Sequence, residues 1–188
     1  MIEKTVVRSR MLECRKMIPD DHYRQLSIRL QTHFIKSSVY KNAHSIMLYI
    51  PIDNEPDTSI IIENAFKDKK TILLPVIKNK DIRAVVYTIN TALKKGIYKT
   101  KEPVCNDPYP ESGIDVVIVP GITFDINCNR IGYGKGYYDR FLSTLNKHTI
   151  KVGLTFNRCI IDEITCEEFD IPVDMIFTEI GIKHRKKE

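Results

Sequence analysis

The sequence predicts a single α/β domain, a layered sandwich with a largely parallel central sheet flanked by helices. Three observations lead there. From Ser45 onward, short apolar runs rich in β-branched residues alternate with segments whose apolar residues recur at helical spacing. Proline or glycine closes or interrupts several of those runs, as at Pro51, Pro75 and Pro120-Gly121. A chain of 188 residues, 43% hydrophobic and 28% charged, fits one domain spanning 1–188 with a sizeable core.

Taken in order, residues 2–18 read as a helix that Pro19 ends. Asp20 or Asp21 can cap a second helix toward Lys36, with Tyr23, Leu26, Leu30 and Phe34 on one face. Ser45 to Ile50 is a strand. The acidic loop Asp53-Asn54-Glu55-Pro56-Asp57 then leads to a helix that Thr58 can cap. Thr71 to Val76, broken by Pro75, and Ala84 to Ile89, near an edge, are further strands. Residues 90–111 carry Gly96, Pro103, Pro108 and Pro110 without a clear period and read as a long surface loop. Val116 to Val119 is too short for a helix and reads as a buried strand. A helix beginning near Tyr137 follows, with Tyr138, Phe141, Leu142 and Leu145 at helical spacing; Lys151–Phe156 and Met175–Glu179 are the last strands.

Composition excludes several classes. The formal net charge of +5 suits a polyanionic small molecule such as ATP or a polyglutamylated folate, and does not by itself indicate nucleic acid. Part of it sits in the tail 183–187, read as a solvated, frayed end. The five cysteines are odd in number and form no C-x-x-C, so neither a disulfide framework nor a zinc site is suggested. No apolar run approaches a membrane span and the N-terminus is no signal peptide, so the expectation is a reduced, soluble, cytoplasmic protein, taken as a monomer.

The chemistry gathers between Gly113 and Leu145. The strand Val116–Val119 is followed by a loop with Gly132, Gly134 and Gly136 at alternate positions, then a helix start. Such glycines are often only tight turns. They also let backbone N–H groups converge on one point, where the helix dipole adds positive character, and Arg130, Lys135 and Arg140 supply full charges. The second reading is a phosphate cradle, although neither G-x-G-x-x-G nor G-x-x-x-x-G-K-[ST] is present. Asp139 strengthens it, because magnesium is commonly held by one or two carboxylates plus phosphate oxygens. Lys4 and Arg8 project from one side of the first helix. Such pairs are usually solvated, but two cations this close also suit an anion between them. Glu55 and Asp57 could merely complement a helix dipole, which suits Asp57 better than Glu55.

The run PGITFDINCNRIGYGKGYYDRFL closely resembles the signature of the 5-formyltetrahydrofolate cyclo-ligase family. So do, in the family's order, K-x-x-x-R at Lys4 and Arg8, Y-x-P-x-x-N-E-x-D-T from Tyr49 to Thr58, and V-D-x-x-x-T-E from Val173 to Glu179. The resemblance implies that ATP phosphorylates the formyl oxygen of 5-formyltetrahydrofolate. N10 then attacks, and phosphate leaves to give 5,10-methenyltetrahydrofolate. It also implies the site. Lys4, Arg8, Arg130 and the loop Ile131, Gly132, Tyr133, Gly134, Lys135, Gly136, Tyr137 and Tyr138 hold ATP. Ile50, Glu55 and Tyr137 position the folate, Asp139 and Asp174 hold Mg²⁺, and no side chain acts as a covalent nucleophile. Asp139→Asn is then expected to lose most activity with little loss of stability.

The chain departs from the family pattern at two positions. Tyr133 stands where many relatives have a basic residue. Cys128 occupies a turn position where glycine is usual, and a left-handed backbone there costs roughly 1 kcal/mol unless Asn127 or Asn129 adopts it. Two rival functions are a nucleic-acid module stacking bases on Tyr133, Tyr137 and Tyr138, and a different phosphate-handling enzyme, such as a sugar-phosphate isomerase, on a similar scaffold.

Overall fold

The computed structural model describes residues 3–96, 100–104 and 108–185. Two helices, α1 (Lys4–Lys16) and α2 (Asp20–Lys36), open the chain, and a short α3 (Ser38–Asn42) delivers it to the first strand. β1 (Ser45–Met47), α4 (Ser59–Lys67), β2 (Thr71–Lys78) and β3 (Asp81–Tyr87) follow, then the hairpin β4 (Leu93–Lys95) and β5 (Lys101–Pro103). The second half holds β6 (Val116–Val119), β7 (Thr123–Asp125), β8 (Arg130–Ile131), α5 (Tyr137–Thr144), β9 (Ile150–Leu154), β10 (Ile160–Ile161), β11 (Met175–Thr178) and β12 (Gly181–His184).

Seven strands form the central sheet in the order β12-β11-β9-β6-β1-β2-β3. The five inner strands, from β11 to β2, are parallel, and an antiparallel strand closes each edge. The inner strands are predominantly apolar because both faces are covered. Ile46, Leu48, Ile72, Leu74, Val116 and Ile118 join Leu30 and Phe34 of α2 and Ile61 and Ala65 of α4 in one core. Met47, Leu73, Val117 and Val119 point the other way, toward Phe124 and toward Phe141 and Leu142 of α5. This is the α/β sandwich expected.

Several local expectations need correction. The long loop at 90–111 contains the β4–β5 hairpin, whose LKK and KEP strands carry no apolar alternation to announce them. Residues 97–99 and 105–107, Cys105 among them, lie outside the described residues. The other four cysteines are free thiols. Pro75 does not break β2, because β1 pairs only as far as Leu73 and Pro75 faces Ala84 of β3. Lys183 and His184 belong to β12 rather than to a frayed end; residues 186–188 lie outside the described residues. Neither Asp20 nor Asp21 caps α2, whose N-cap is Pro19, although both lie in its first turn. Thr58 is the N-cap residue of α4, as expected, but its side chain makes no capping bond. Its hydroxyl donates to the Tyr49 carbonyl at 2.8 Å, while Asp57 accepts from the Ser59 N–H and Gln31 of α2 accepts from Ile60 and Ile61.

Cys128 takes the left-handed conformation itself, at φ 68°. The Asp125 carboxylate holds that turn, accepting from the backbone N–H groups of Asn127, Asn129 and Ile164 and from the Asn129 side chain. Four such bonds can offset the 1–2 kcal/mol of a left-handed residue that is not glycine. No described helix is long and apolar enough to cross a membrane.

Candidate active site

A cavity of about 630 Å³ opens beyond the carboxyl ends of β1 and β6, where chains of this topology gather their ligands. Lys4, Arg8, Ile50, Glu55, Arg130 and the whole run from Ile131 to Asp139 line it. Residues distant in sequence therefore meet, as the motif reading required.

The first wall comes from α1. Arg8 donates through Nε to the Gly132 carbonyl at 2.8 Å, fastening the helix to the glycine loop. Lys4 Nζ lies 2.6 Å from Asp170 Oδ2 and 3.4 Å from Glu167 Oε1. Burial works against its ammonium charge, but these carboxylates outweigh it and hold Lys4 above the usual lysine value.

The second wall is the loop after β1. Asp53 and Asn54 both have positive φ, at 47° and 55°, the backbone of a tight turn that Asp and Asn tolerate. The Glu55 N–H donates to the Ile52 carbonyl at 2.9 Å, and its own carboxylate accepts the Ile52 N–H at 3.2 Å. Tyr23 ties the turn to α2 by donating to the Glu55 carbonyl at 2.8 Å. The result is a buried carboxylate in the cavity wall, with Glu55 Oε1 lacking a direct hydrogen-bond partner among the described residues. Burial pushes its pKa up to about 7 even though the Arg15 charge draws it down.

The third wall is the glycine loop and the start of α5. Gly134 and Gly136 have φ of 84° and 64°, so both use the left-handed region. A Cβ at Gly134 would also sit 3.2 Å from the Arg8 guanidinium. Gly134→Ala should cost about 1–2 kcal/mol of local strain and raise the KM of a phosphate-bearing substrate held by this loop about tenfold. Initial-rate kinetics check this; an unchanged KM would show that the loop conformation is not used for binding. Arg130 Nη2 donates to Asp139 Oδ1 at 2.6 Å, while Arg130 Nε has no partner. Unsatisfied buried polar atoms are costly, and two of them, on Glu55 and Arg130, belong to side chains that line this cavity.

Other placements differ from expectation. Asp174 does not come together with Asp139. It precedes β11, its carboxylate accepts the Lys151 N–H at 2.7 Å, and Lys151 Nζ lies 3.7 Å away. That is the amino end of the parallel strands, across the sheet from the cavity, so Asp174 is removed from the metal site. The Arg140 charge is also spent elsewhere. It donates to the Lys80 carbonyl at 2.7 Å and to the Lys135 carbonyl, and it lies 3.4 Å from Asp81 on the β2–β3 hairpin. Tyr137 and Tyr138 carry Arg140 and Arg130 against their rings, at 5.2 and 5.8 Å, and face the cavity rather than forming an open stacking platform.

Sequence reasoning passed over Arg15, Asp53, Asp170 and the exposed Phe169 at the rim. Arg15 had a legible signal. Lys4, Arg8 and Arg15 are spaced four and seven apart, which keeps all three on one side of a helix.

Asp139 passes a test for magnesium as a single carboxylate. It lines the cavity and is partly exposed, and one carboxylate plus phosphate oxygens is an ordinary magnesium environment. Among the described residues no group of three or more His, Cys, Asp or Glu is placed to bind a metal by itself.

Comparison with known proteins shows the family and the fold. The family model for the 5-formyltetrahydrofolate cyclo-ligase family matches residues 1–179. A mouse protein named 5-formyltetrahydrofolate cyclo-ligase is 27% identical over 178 residues, covering 88% of this chain and 87% of the relative. One of the same name from Mycoplasma genitalium is 29% identical over 180 residues, covering 94% and 98%. The NMR structure of Aquifex aeolicus 5,10-methenyltetrahydrofolate synthetase superposes with a TM-score of 0.89 at 27% identity, over 100% of this chain and 95% of the other. A Mycoplasma pneumoniae 5,10-methenyltetrahydrofolate synthetase, at 20% identity and TM-score 0.79 over 95% and 99%, bears on the fold.

Proposed function

The chain belongs to the 5-formyltetrahydrofolate cyclo-ligase family, and from that premise we propose that it cyclises 5-formyltetrahydrofolate to 5,10-methenyltetrahydrofolate at the expense of ATP, releasing ADP and phosphate. The observation that carries this is a single cavity with a cationic glycine loop on one wall and the unpartnered Glu55 oxygen on another. The loop suits a polyphosphate. A carboxylate with a free acceptor suits a pterin, whose adjacent N–H groups are donors.

A formamide carbon is a poor electrophile. Transfer of the γ-phosphoryl group to the formyl oxygen makes that oxygen a leaving group. N10 attacks the carbon and gives up its proton to the departing phosphate or to water, the C–O bond breaks, and phosphate departs with the electron pair. Such transfer asks the protein for alignment and charge neutralisation more than for covalent chemistry. Lys4, Arg8 and Arg130 supply the cations, and the glycine loop supplies backbone N–H groups. Glu55, Ile50 and Tyr137 orient the pterin so that its formyl oxygen faces the nucleotide. Magnesium, when bound, would neutralise charge on the phosphates, and Asp139 is the residue placed to hold it.

The test is the absorbance of methenyltetrahydrofolate formed by purified protein. Product is expected only when ATP, Mg²⁺ and 5-formyltetrahydrofolate are all present. Product without ATP, or none under full conditions, overturns the reading.

A further inference from the structure

Beneath the glycine loop lies a charge that the reaction scheme leaves unused. Arg15 is buried to within 1% of its surface, unusual for an arginine. Its Nη1 donates to the Gly121 carbonyl at 3.1 Å and its Nη2 to the Tyr133 hydroxyl at 3.3 Å. Among the described residues it makes no ion pair within 4 Å, and its Nε has no partner. Removing a guanidinium from water costs several kcal/mol unless a compensating charge is near. The carboxylate its charge acts on is that of Glu55, whose pKa it draws down.

Tyr133 is the hinge of this arrangement. Its hydroxyl accepts from Arg15, donates toward Asp53 Oδ2 at 3.4 Å, and draws the Glu55 pKa down as a donor beside its carboxylate. Groups from every neighbouring element face the Glu55 carboxylate: Arg15 from α1, Tyr23 from α2, Tyr49 beyond β1, Asp53 in its own turn, Tyr133 in the glycine loop and Tyr138 from α5. Of these, Arg15 brings the positive charge. Burial, first, and Asp53 push the Glu55 carboxyl up to about 7, while Arg15, the Ile52 N–H and the Tyr133 hydroxyl act in the opposite direction.

We infer that Arg15 is a positioning residue for folate recognition: anchored on Gly121, it aims the Tyr133 hydroxyl at the Glu55 turn and provides, from within the core, the charge against which the Glu55 carboxylate meets its ligand. This rests on the folate reading of the cavity. It assigns Tyr133 a task in the folate half of the site rather than that of a phosphate contact.

The experiment is calorimetric titration with 5-methyltetrahydrofolate, which lacks the formyl oxygen and cannot react, between pH 5.5 and 9 without ATP. Binding by the wild-type protein should weaken as pH falls through about 7, where Glu55 takes up a proton. In Arg15→Met the midpoint should move up by about one pH unit, with the affinity for ATP unchanged. Tyr133→Phe, which leaves the core charge in place, should move it the same way by less. If Arg15→Met does not fold, Tyr133→Phe alone decides. A midpoint that stays put in the folded variants, or folate and ATP affinities that fall together, overturns the assignment. Wild-type folate binding without turnover would sink the proposed reaction and leave this inference standing. No wild-type folate binding would sink both.

Discussion

Replacing Asp139 by asparagine should lower kcat/KM on the order of 100-fold and should also destabilise the protein by about 2 kcal/mol. The second half reverses the expectation drawn from sequence, where Asp139 was taken as a ligand at a solvent-accessible position. In the fold it is the carboxylate that neutralises Arg130, at 2.6 Å, with side-chain exposures of only 17% and 5%. The Ile171 N–H also donates to it, at 3.3 Å, so it helps hold the 167–171 segment against α5. Asparagine keeps an acceptor but loses the charge, leaving Arg130 partly uncompensated. Urea denaturation of Asp139→Asn, Arg130→Met and the double variant separates the effects: the double variant should be less destabilised than the sum of the two singles. For activity, the variant should need more magnesium to reach half its maximal rate. Additive stabilities would refute the pairing, and an unchanged magnesium midpoint would refute the metal role.

The residues of this site were legible in the sequence to different degrees, and each gap has a physical cause. Val116–Val119 and the start of α5 at Tyr137 could be read because a doubly covered parallel strand is apolar at every position and an amphipathic helix repeats at 3.6 residues. The glycine loop could be read because left-handed backbone leaves a mark in composition. Its supporting sheet, β7 with β8 and β10, could not, since two- and three-residue strands carry no period. Asp174 is the instructive failure. It sits before a parallel strand, whereas the cavity lies after β1 and β6, so in a parallel sheet the two lie on opposite sides. A motif match placed it in the site, and strand polarity removes it. Arg15 failed differently. Its helical spacing was visible, but burial of a cation is a property of the packed structure, where α1 meets the segment after β6 and the glycine loop.

Glu55→Gln should make the protein more stable and less able to use folate. Burial raises the Glu55 pKa from 4.5 to about 7, with the attraction of Arg15 already counted in that net. A carboxyl with a folded pKa above its unfolded one holds an extra proton in the native state between the two values. Stability therefore falls as pH rises from 4.5 toward 7, and the penalty is complete above that, on the order of 3 kcal/mol. Glutamine mimics the protonated form and can still accept the Ile52 N–H, so at about pH 8 the variant should gain on the order of 2 kcal/mol. At pH 4 the gain should vanish, because both states then carry a neutral carboxyl. Function should move the other way. A charged acceptor facing pterin N–H donors is lost, which should raise the folate KM about 10- to 100-fold while the ATP KM stays within about twofold. Thermal melts across pH and two-substrate kinetics measure both. A variant that is less stable at pH 8 would show that the Glu55 charge is not strained where it lies. Equal rises in both KM values would show that Glu55 shapes the cavity as a whole rather than its folate wall.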